Sequence, residues 1–249
     1  MTPVERLLSV AAGEVGYLEK KSNSRLDEKT ANAGSANFTK YARDLDKLRF
    51  YNGAKNGYAW CAVFADWCFV HAFGLETALA MTGQKLGGYG AGCAESVRYY
   101  KAIGRFYRYN PQPGDQIFFA DGRGGMAHTG LVERVAGGKV YTIEGNTSGA
   151  SGVVANGGGV CRKSYSLGYS RIAGYGRPKY EIVKEEETMT GKEIYDALQE
   201  YTKSLPLPEW AEAELAEAVK LGITDGQNPC QLVPRYQAAI MAMRTMERK

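Results

Sequence analysis

The chain has 249 residues, 44% of them apolar and 23% charged, with a mean hydropathy of −0.36. That balance excludes a mainly disordered chain, and no apolar run approaches the ~20 residues of a membrane span, the longest (residues 61–73) being broken by Asp66 and His71. Residues 1–188 hold 24 Lys+Arg against 18 Asp+Glu, a net of +6, and residues 189–249 hold 7 against 9, a net of −2; the two give the +4 of the whole, and the basic part suits a polyanionic partner.

Residues 3–20 read as an amphipathic helix carrying Val4, Leu7, Leu8, Ala11, Val15 and Leu18, with Thr2 as its cap and Pro3 at its first position. Glu5 and Glu14 within it, and the lack of a basic lead, argue against a signal peptide, so synthesis in the cytoplasm is expected. A polar loop over residues 22–37 leads to a second helix near Phe38 that carries Tyr41 and Leu45. After a turn at residues 51–57, the run WCAVFADWCFVHAF is too long and continuous for a strand, which predicts a buried helix starting at or just before Cys61 and stopping at Gly74. Residues 92–104 give another helix.

From Pro111 the pattern changes to short alternating runs: 116–120, 129–135, 139–143, 153–155, 160–165 and 171–175. Helices followed by antiparallel strands predict an α+β domain over residues 1–180. Residues 181–188 are charged and unpatterned, which suits a linker. Residues 189–249 read as three short helices: one opened by a Thr190/Glu193 capping box, one over 208–221, and one from Pro234. So small a piece buries little surface alone, which points to a second copy or to the main domain as its support.

The five cysteines (Cys61, Cys68, Cys93, Cys161, Cys230) form no CxxC, which argues against a disulfide framework and a zinc finger. A cysteine nucleophile needs a base, and there are two histidines. His71 lies ten residues along the same helix as Cys61, roughly 15 Å away, so it is no partner. His128 opens the run HTGLVERV, which turns at Ala136-Gly137-Gly138 and returns as KVYTIEGN. A three-residue loop would pair Val135 with Lys139, set Asn146 opposite His128 and Glu144 opposite Gly130, and leave Leu131, Val135, Tyr141 and Ile143 on the core face. A strict Gly-Gly loop would slip the register by one and part Glu144 from His128. Cys68, Cys93, Cys161 and Cys230 read as structural, and Asp66 as a solvated or capping residue.

YAWCAVFADWCF, PQPGDQIFF, MAHTGLV and VYTIEGNTS resemble, in order and spacing, the CHAP family of cysteine amidohydrolases and peptidases, relatives of the NlpC/P60 and papain-like enzymes that cut bacterial cell-wall peptides. The resemblance runs from Val4 to Tyr180. It implies a papain-like fold with Cys61 as nucleophile, His128 as base, Glu144 as the acid that orients the ring and Asn146 as the polar residue beside it. Backbone N–H groups at the helix end would hold the oxyanion. Tyr58, Trp60, Tyr89 and Tyr169 are candidate groove walls for substrate. Some CHAP members carry a calcium loop of closely spaced aspartates near the N-terminus; here only Asp27, Asp44 and Asp46 fall in that stretch, with no DxDxxxDG, so no metal or other cofactor is expected.

The tail resembles the S-layer-homology-like repeats of wall hydrolases through Trp210, the turn around Asp225, Pro234 and Arg235, which implies cell-wall binding; a plain oligomerisation module is the alternative. The expected function is therefore a phage-endolysin-type peptidoglycan hydrolase acting after membrane permeabilisation. An N-acetylmuramoyl-L-alanine amidase is favoured over an endopeptidase of the stem or cross-bridge, a non-catalytic wall binder, or a protease or acyltransferase acting on proteins. Expected partners are peptidoglycan, anionic wall polymers, and a second copy or a free C-terminal fragment translated from Met189, with no nucleic acid.

Overall fold

The computed structural model describes residues 1–183, 190–233, 238–240 and 242–243. It divides into two compact units, Met1–Glu185 and Glu186–Lys249. The first is an α+β unit. Five helices, α1 (Pro3–Gly13), α2 (Lys40–Lys47), α3 (Cys61–Phe73), α4 (Leu75–Thr82) and α5 (Cys93–Ala102), precede six strands: β1 (Phe106–Tyr107), β2 (Gln116–Ala120), β3 (Met126–Ala136), β4 (Lys139–Thr147), β5 (Gly159–Ser166) and β6 (Ile172–Gly176). The strands form one antiparallel sheet in the order β1-β6-β2-β3-β4-β5.

α1 begins as the sequence predicts, Thr2 and Glu5 exchanging both bonds of a capping box, but it stops at Gly13 rather than at residue 20. The reason is tertiary. Gly16 takes a φ of +89°, and residues 16–19 then run along the start of β5, with Gly16 N–H on Val160 O, Val160 N–H on Tyr17 O and Glu19 N–H on Gly158 O. α4 and β1 have no counterpart in the sequence reading, and residues 153–155, read as a strand, lie outside the sheet in irregular backbone.

The centre of the unit is α3. Ten of its 13 residues are buried, and Val63, Phe64, Trp67 and Cys68 share a core with Leu7, Tyr41, Leu45, Leu131 and Ile143. At about 1.5–3 kcal/mol for each large apolar side chain buried, this helix is fixed by its surroundings and not by helix propensity. A helix held on all sides is a rigid mount for whatever sits at its end. Asp66, read as solvated, is buried instead; burial pushes its carboxyl up to about 6, against hydrogen bonds from Tyr51 Oη and Gln84 Nε2, each 2.7 Å.

The loop over residues 21–37 closes around a lysine. Lys20 is fully buried, and its Nζ donates to the carbonyl oxygens of Glu28 and Lys29 while sitting 4.4 Å from the centre of the Tyr17 ring. The nearby aspartates are engaged too. Arg43 binds Asp27 through both terminal nitrogens at 2.7 Å and Asp44 through Nε at 2.8 Å, and Asp46 accepts from the backbone N–H groups of Lys55 and Asn56. Among the described residues no group of three or more His, Cys, Asp or Glu side chains could hold a metal. Because Asp27, Asp44 and Asp46 are taken up by these partners, we expect EDTA to leave the melting temperature unchanged, and a rise on adding calcium would contradict this.

The second unit contains α6 (Gly191–Ser204), opened by the Thr190/Glu193 capping box, and α7 (Glu209–Lys220). The helix expected from Pro234 falls largely outside the described residues, as do most of the linker read at 181–188 and Met189; Tyr180–Ile182 form a 3₁₀ turn.

Candidate active site

α3 opens with its first turn uncapped by any side chain, Trp60 standing at the cap position with φ −126° and no side-chain hydrogen bond to the helix. The N–H groups at the start of a helix carry partial positive charge, and the first residue here is Cys61. Trp60 corrects the sequence reading. It is fully buried, its Nε1 donating to Glu19 Oε2 at 2.8 Å and its ring packed on Tyr41 and Tyr17, so it cannot form a groove wall that stacks on substrate.

His128 and Glu144 meet through an unexpected register. The β3–β4 loop has two residues, Gly137 and Gly138, both at positive φ (57° and 70°), and Ala136 pairs with Lys139. Such a loop alone would put Glu144 out of reach. The pairing shifts between Val132 and Arg134, however, so a bulge at Glu133 absorbs one residue, and Val132↔Thr142 and Leu131↔Ile143 then follow the register that a three-residue loop would have set. Beyond the bulge Val135 turns outward, 36% exposed, and Tyr141 lies half-buried under the Arg134 guanidinium, so neither joins Leu131 and Ile143 in the core as expected.

His128 Nε2 lies 3.0 Å from Glu144 Oε2, with both side chains fully buried. Thr142 Oγ1 donates to Glu144 Oε1 at 2.6 Å and Tyr165 Oη to Oε2 at 3.2 Å, while Phe119 stacks on the imidazole at 6.0 Å between ring centres. With Nε2–H directed at the carboxylate, Nδ1 is the nitrogen left for a reacting group. Nδ1 is buried and makes no hydrogen bond of standard geometry, and of the ring's neighbours the Cys61 thiol does most to favour its charge. Burial opposes charge on the ring, but the Cys61 thiol and then the Glu144 carboxylate outweigh it and raise the His128 pKa to about 9. Cys61 moves the other way, well below the ordinary thiol value. The Cys93 thiol lowers it most, its Sγ 3.6 Å from Cys61 Sγ; burial resists, and His128 and the Ala62 N–H lower it further.

The site residues thus favour a thiolate–imidazolium pair. Because the folded pKa of His128 lies above its ordinary 6.5, its contribution to stability is complete below that value and is lost as pH rises through about 9. Cys61, depressed, contributes in the alkaline range and loses its contribution as pH falls through its folded pKa. For any cysteine-dependent reaction at this site we expect the alkaline limb of kcat/KM to fall near pH 9; a limb between 6 and 7 would mean an unpaired histidine.

Gly130 supplies the space for this arrangement. A Cβ there would lie 2.5 Å from Glu144 Cγ and 3.0 Å from Ile143 O. Gly130→Ala is expected to displace the carboxylate, lowering kcat at least about tenfold and costing about 1–3 kcal/mol in denaturant unfolding.

The remaining candidates separate. Asn146 is buried at φ +55°, its Oδ1 accepting from Gly158 N–H at 3.4 Å and its Nδ2 unpartnered; it holds the loop before β5 and makes no hydrogen bond to His128. Tyr58 is 67% exposed on the approach to α3, and Tyr89 is 45% exposed beside Tyr99 and Arg98. Tyr169 is half-buried and stacks on Tyr165, one residue behind Glu144. A surface cleft lined by Asp46, Arg49 and residues 50–54 contains none of the candidates. His71 is exposed and stacks on Trp67. In the second unit Trp210 is 76% exposed and Asp225 accepts from Gln227 N–H, whereas Arg235 lies outside the described residues.

Sequence reasoning missed Cys93, Thr142, Tyr165 and Glu19. Thr142 was within reach, since strand alternation puts it on the face of Glu144. Tyr165 and Glu19 come from distant segments, and nothing local marks Cys93 among the other buried cysteines.

No curated protein matches the chain. Among solved structures, that of Ly7917 is 15% identical with a TM-score of 0.42, over 72% of this chain and 63% of that one. The structure of a wild-type endolysin, LysIME-EF1, is 16% identical with a TM-score of 0.35, over 73% and 67%. This chain therefore spans less than two thirds of the length of Ly7917. The segment that holds Cys61, Cys93, His128 and Glu144, residues 53–146, matches the family model of the CHAP domain.

Proposed function

We propose that the chain is a cysteine peptidoglycan hydrolase that cuts an amide bond of the bacterial cell-wall peptide. The observation that carries this reading is the Cys61 thiol on the first residue of a helix with an uncapped N-terminus, coupled to a histidine whose other nitrogen is held by a buried carboxylate. The CHAP match over residues 53–146 supports it.

In this mechanism the Cys61 thiolate attacks the amide carbonyl, and N–H groups of the first turn of α3 receive the developing oxyanion. His128, as imidazolium, gives its Nδ1 proton to the departing amine, then takes a proton from the water that releases the acyl group. Glu144 holds the ring through Nε2 and balances its charge. Tyr58 and Tyr89, both exposed, are the groove residues we assign to the glycan or peptide, with Tyr169 supporting from behind Tyr165. Asn146 is assigned a positioning role through the 157–158 loop. No step requires a metal.

The bond we assign lies between the lactyl group of the sugar and L-alanine, the amidase cleavage. The second unit, with exposed Trp210, Ile194, Tyr195 and Tyr201, is proposed as a wall-binding or assembly module. Digesting purified wall and identifying the new termini by mass spectrometry tests the assignment. Free N-terminal L-alanine is expected; new termini within the stem or cross-bridge would replace the amidase with an endopeptidase, and new reducing sugar ends would overturn the cysteine mechanism.

A further inference from the structure

Cys61 and Cys93 are far apart in sequence yet 3.6 Å apart at sulfur. Each is the first residue of its helix, so the N-termini of α3 and α5 converge on one sulfur pair, and neither end is capped by a side chain. Both residues are 6% exposed, so neither sulfur is sealed from solvent. A disulfide needs its sulfurs at about 2.05 Å, so each would move by less than an ångström. The backbone on one side can supply that movement, because Cys93 follows Gly87, Gly88, Gly90 and Gly92. Cys68 is also buried, but two turns further along the rigid α3.

We propose that Cys93 is the resolving thiol of a reversible disulfide with Cys61, closed by hydroperoxides and opened by dithiols. Cys61 as thiolate attacks the peroxide oxygen; the O–O bond breaks, the departing hydroxide takes the proton that the thiol had given to His128 and leaves as water, and Cys61 becomes a sulfenic acid. The Cys93 sulfur then attacks Cys61 Sγ, forming S–S and breaking S–O, and its proton leaves with the hydroxide as a second water. Two thiols lose two electrons, and hydrogen peroxide becomes two waters. The disulfide protects the nucleophile from irreversible oxidation, since sulfinic and sulfonic acids form only from sulfenic acid that persists. The low thiolate pKa of Cys61 makes it the sulfur that reacts first. The resulting loss of hydrolysis rests on the function proposed above; the disulfide itself does not.

The test treats the full chain with hydrogen peroxide, blocks free thiols and digests it with trypsin without reduction. Residues 56–85 carry Cys61 and Cys68, and residues 86–98 carry Cys93. The expected product is these two peptides cross-linked, with fragmentation placing the bond at Cys61, and dithiothreitol restoring both free thiols and wall clearing. In Cys93→Ser the cross-link is expected to vanish and Cys61 to gain two or three oxygens that dithiothreitol does not remove. Wild-type protein in which Cys61 is over-oxidised or bonded to Cys68, with no link to Cys93, would overturn the proposal, and this reading requires no variant to fold. If the cross-link forms in a protein that never cleaves wall, the hydrolase reading fails and the disulfide stands.

Discussion

Replacing Cys61 with alanine is expected to abolish clearing of purified cell walls, a fall of roughly 10⁴- to 10⁶-fold, while leaving the fold intact. The side chain is buried in a small cluster with Cys93, Val97, Tyr100 and Phe118, but truncation to alanine removes only its sulfur, so little buried surface is lost. What it removes is the charge partner of His128. The imidazole would then answer to burial and Glu144 alone, and its pKa should fall from about 9, which a histidine NMR titration reads directly. Cys61→Ser tests the same point with less perturbation, since the hydroxyl fills the space yet keeps its proton at neutral pH. Unchanged clearing by either variant would mean that the protein disrupts walls by binding and that the sulfur is structural.

Glu144→Gln is the second large effect. The carboxylate takes three donors: His128 Nε2–H, Thr142 Oγ1–H and Tyr165 Oη–H. A carboxamide has one oxygen, and its NH₂ would face a hydroxyl or the ring, inviting the wrong tautomer and turning Nδ1 away from the thiol. By analogy with amide substitution at other catalytic triads, kcat should fall about 10²- to 10⁴-fold. The alkaline limb should also move below pH 9, because Glu144 is one cause of the raised histidine pKa. Glu144→Ala goes further, leaving a buried ring and two hydroxyls without their acceptor, and should cost about 3–5 kcal/mol of stability. An unshifted limb in Glu144→Gln would place Glu144 outside the charge pair.

The residues of the candidate site were legible where local pattern and tertiary role coincide. Cys61 could be placed at a helix start because the apolar run after it is too long for a strand, and His128 and Glu144 could be paired because strand alternation sets faces. The hairpin shows the limit. Two glycines and an alanine are compatible with either loop length, and the bulge at Glu133 that compensates for the shorter loop has no glycine or proline to announce it. The predicted register therefore holds at Leu131↔Ile143 and Val132↔Thr142 and is off by one near the turn. Trp60 misled for a related reason: beside a nucleophile an aromatic residue suggests a groove wall, but here the indole is claimed by Glu19, 41 positions earlier in the chain. Cys93 could not be found at all from sequence, since its significance lies only in which helix end it faces.

Lys20 has a consequence beyond the loop it closes. An ion that dissociates occupies its site in proportion to its supply, whereas an ammonium on a side chain is present at full occupancy at any dilution. The segment from Ser22 to Asn37 is therefore expected to keep the same conformation in a medium rich in divalent ions and in one stripped of them. The organising charge is inherited with the polypeptide and need not be gathered from the surroundings.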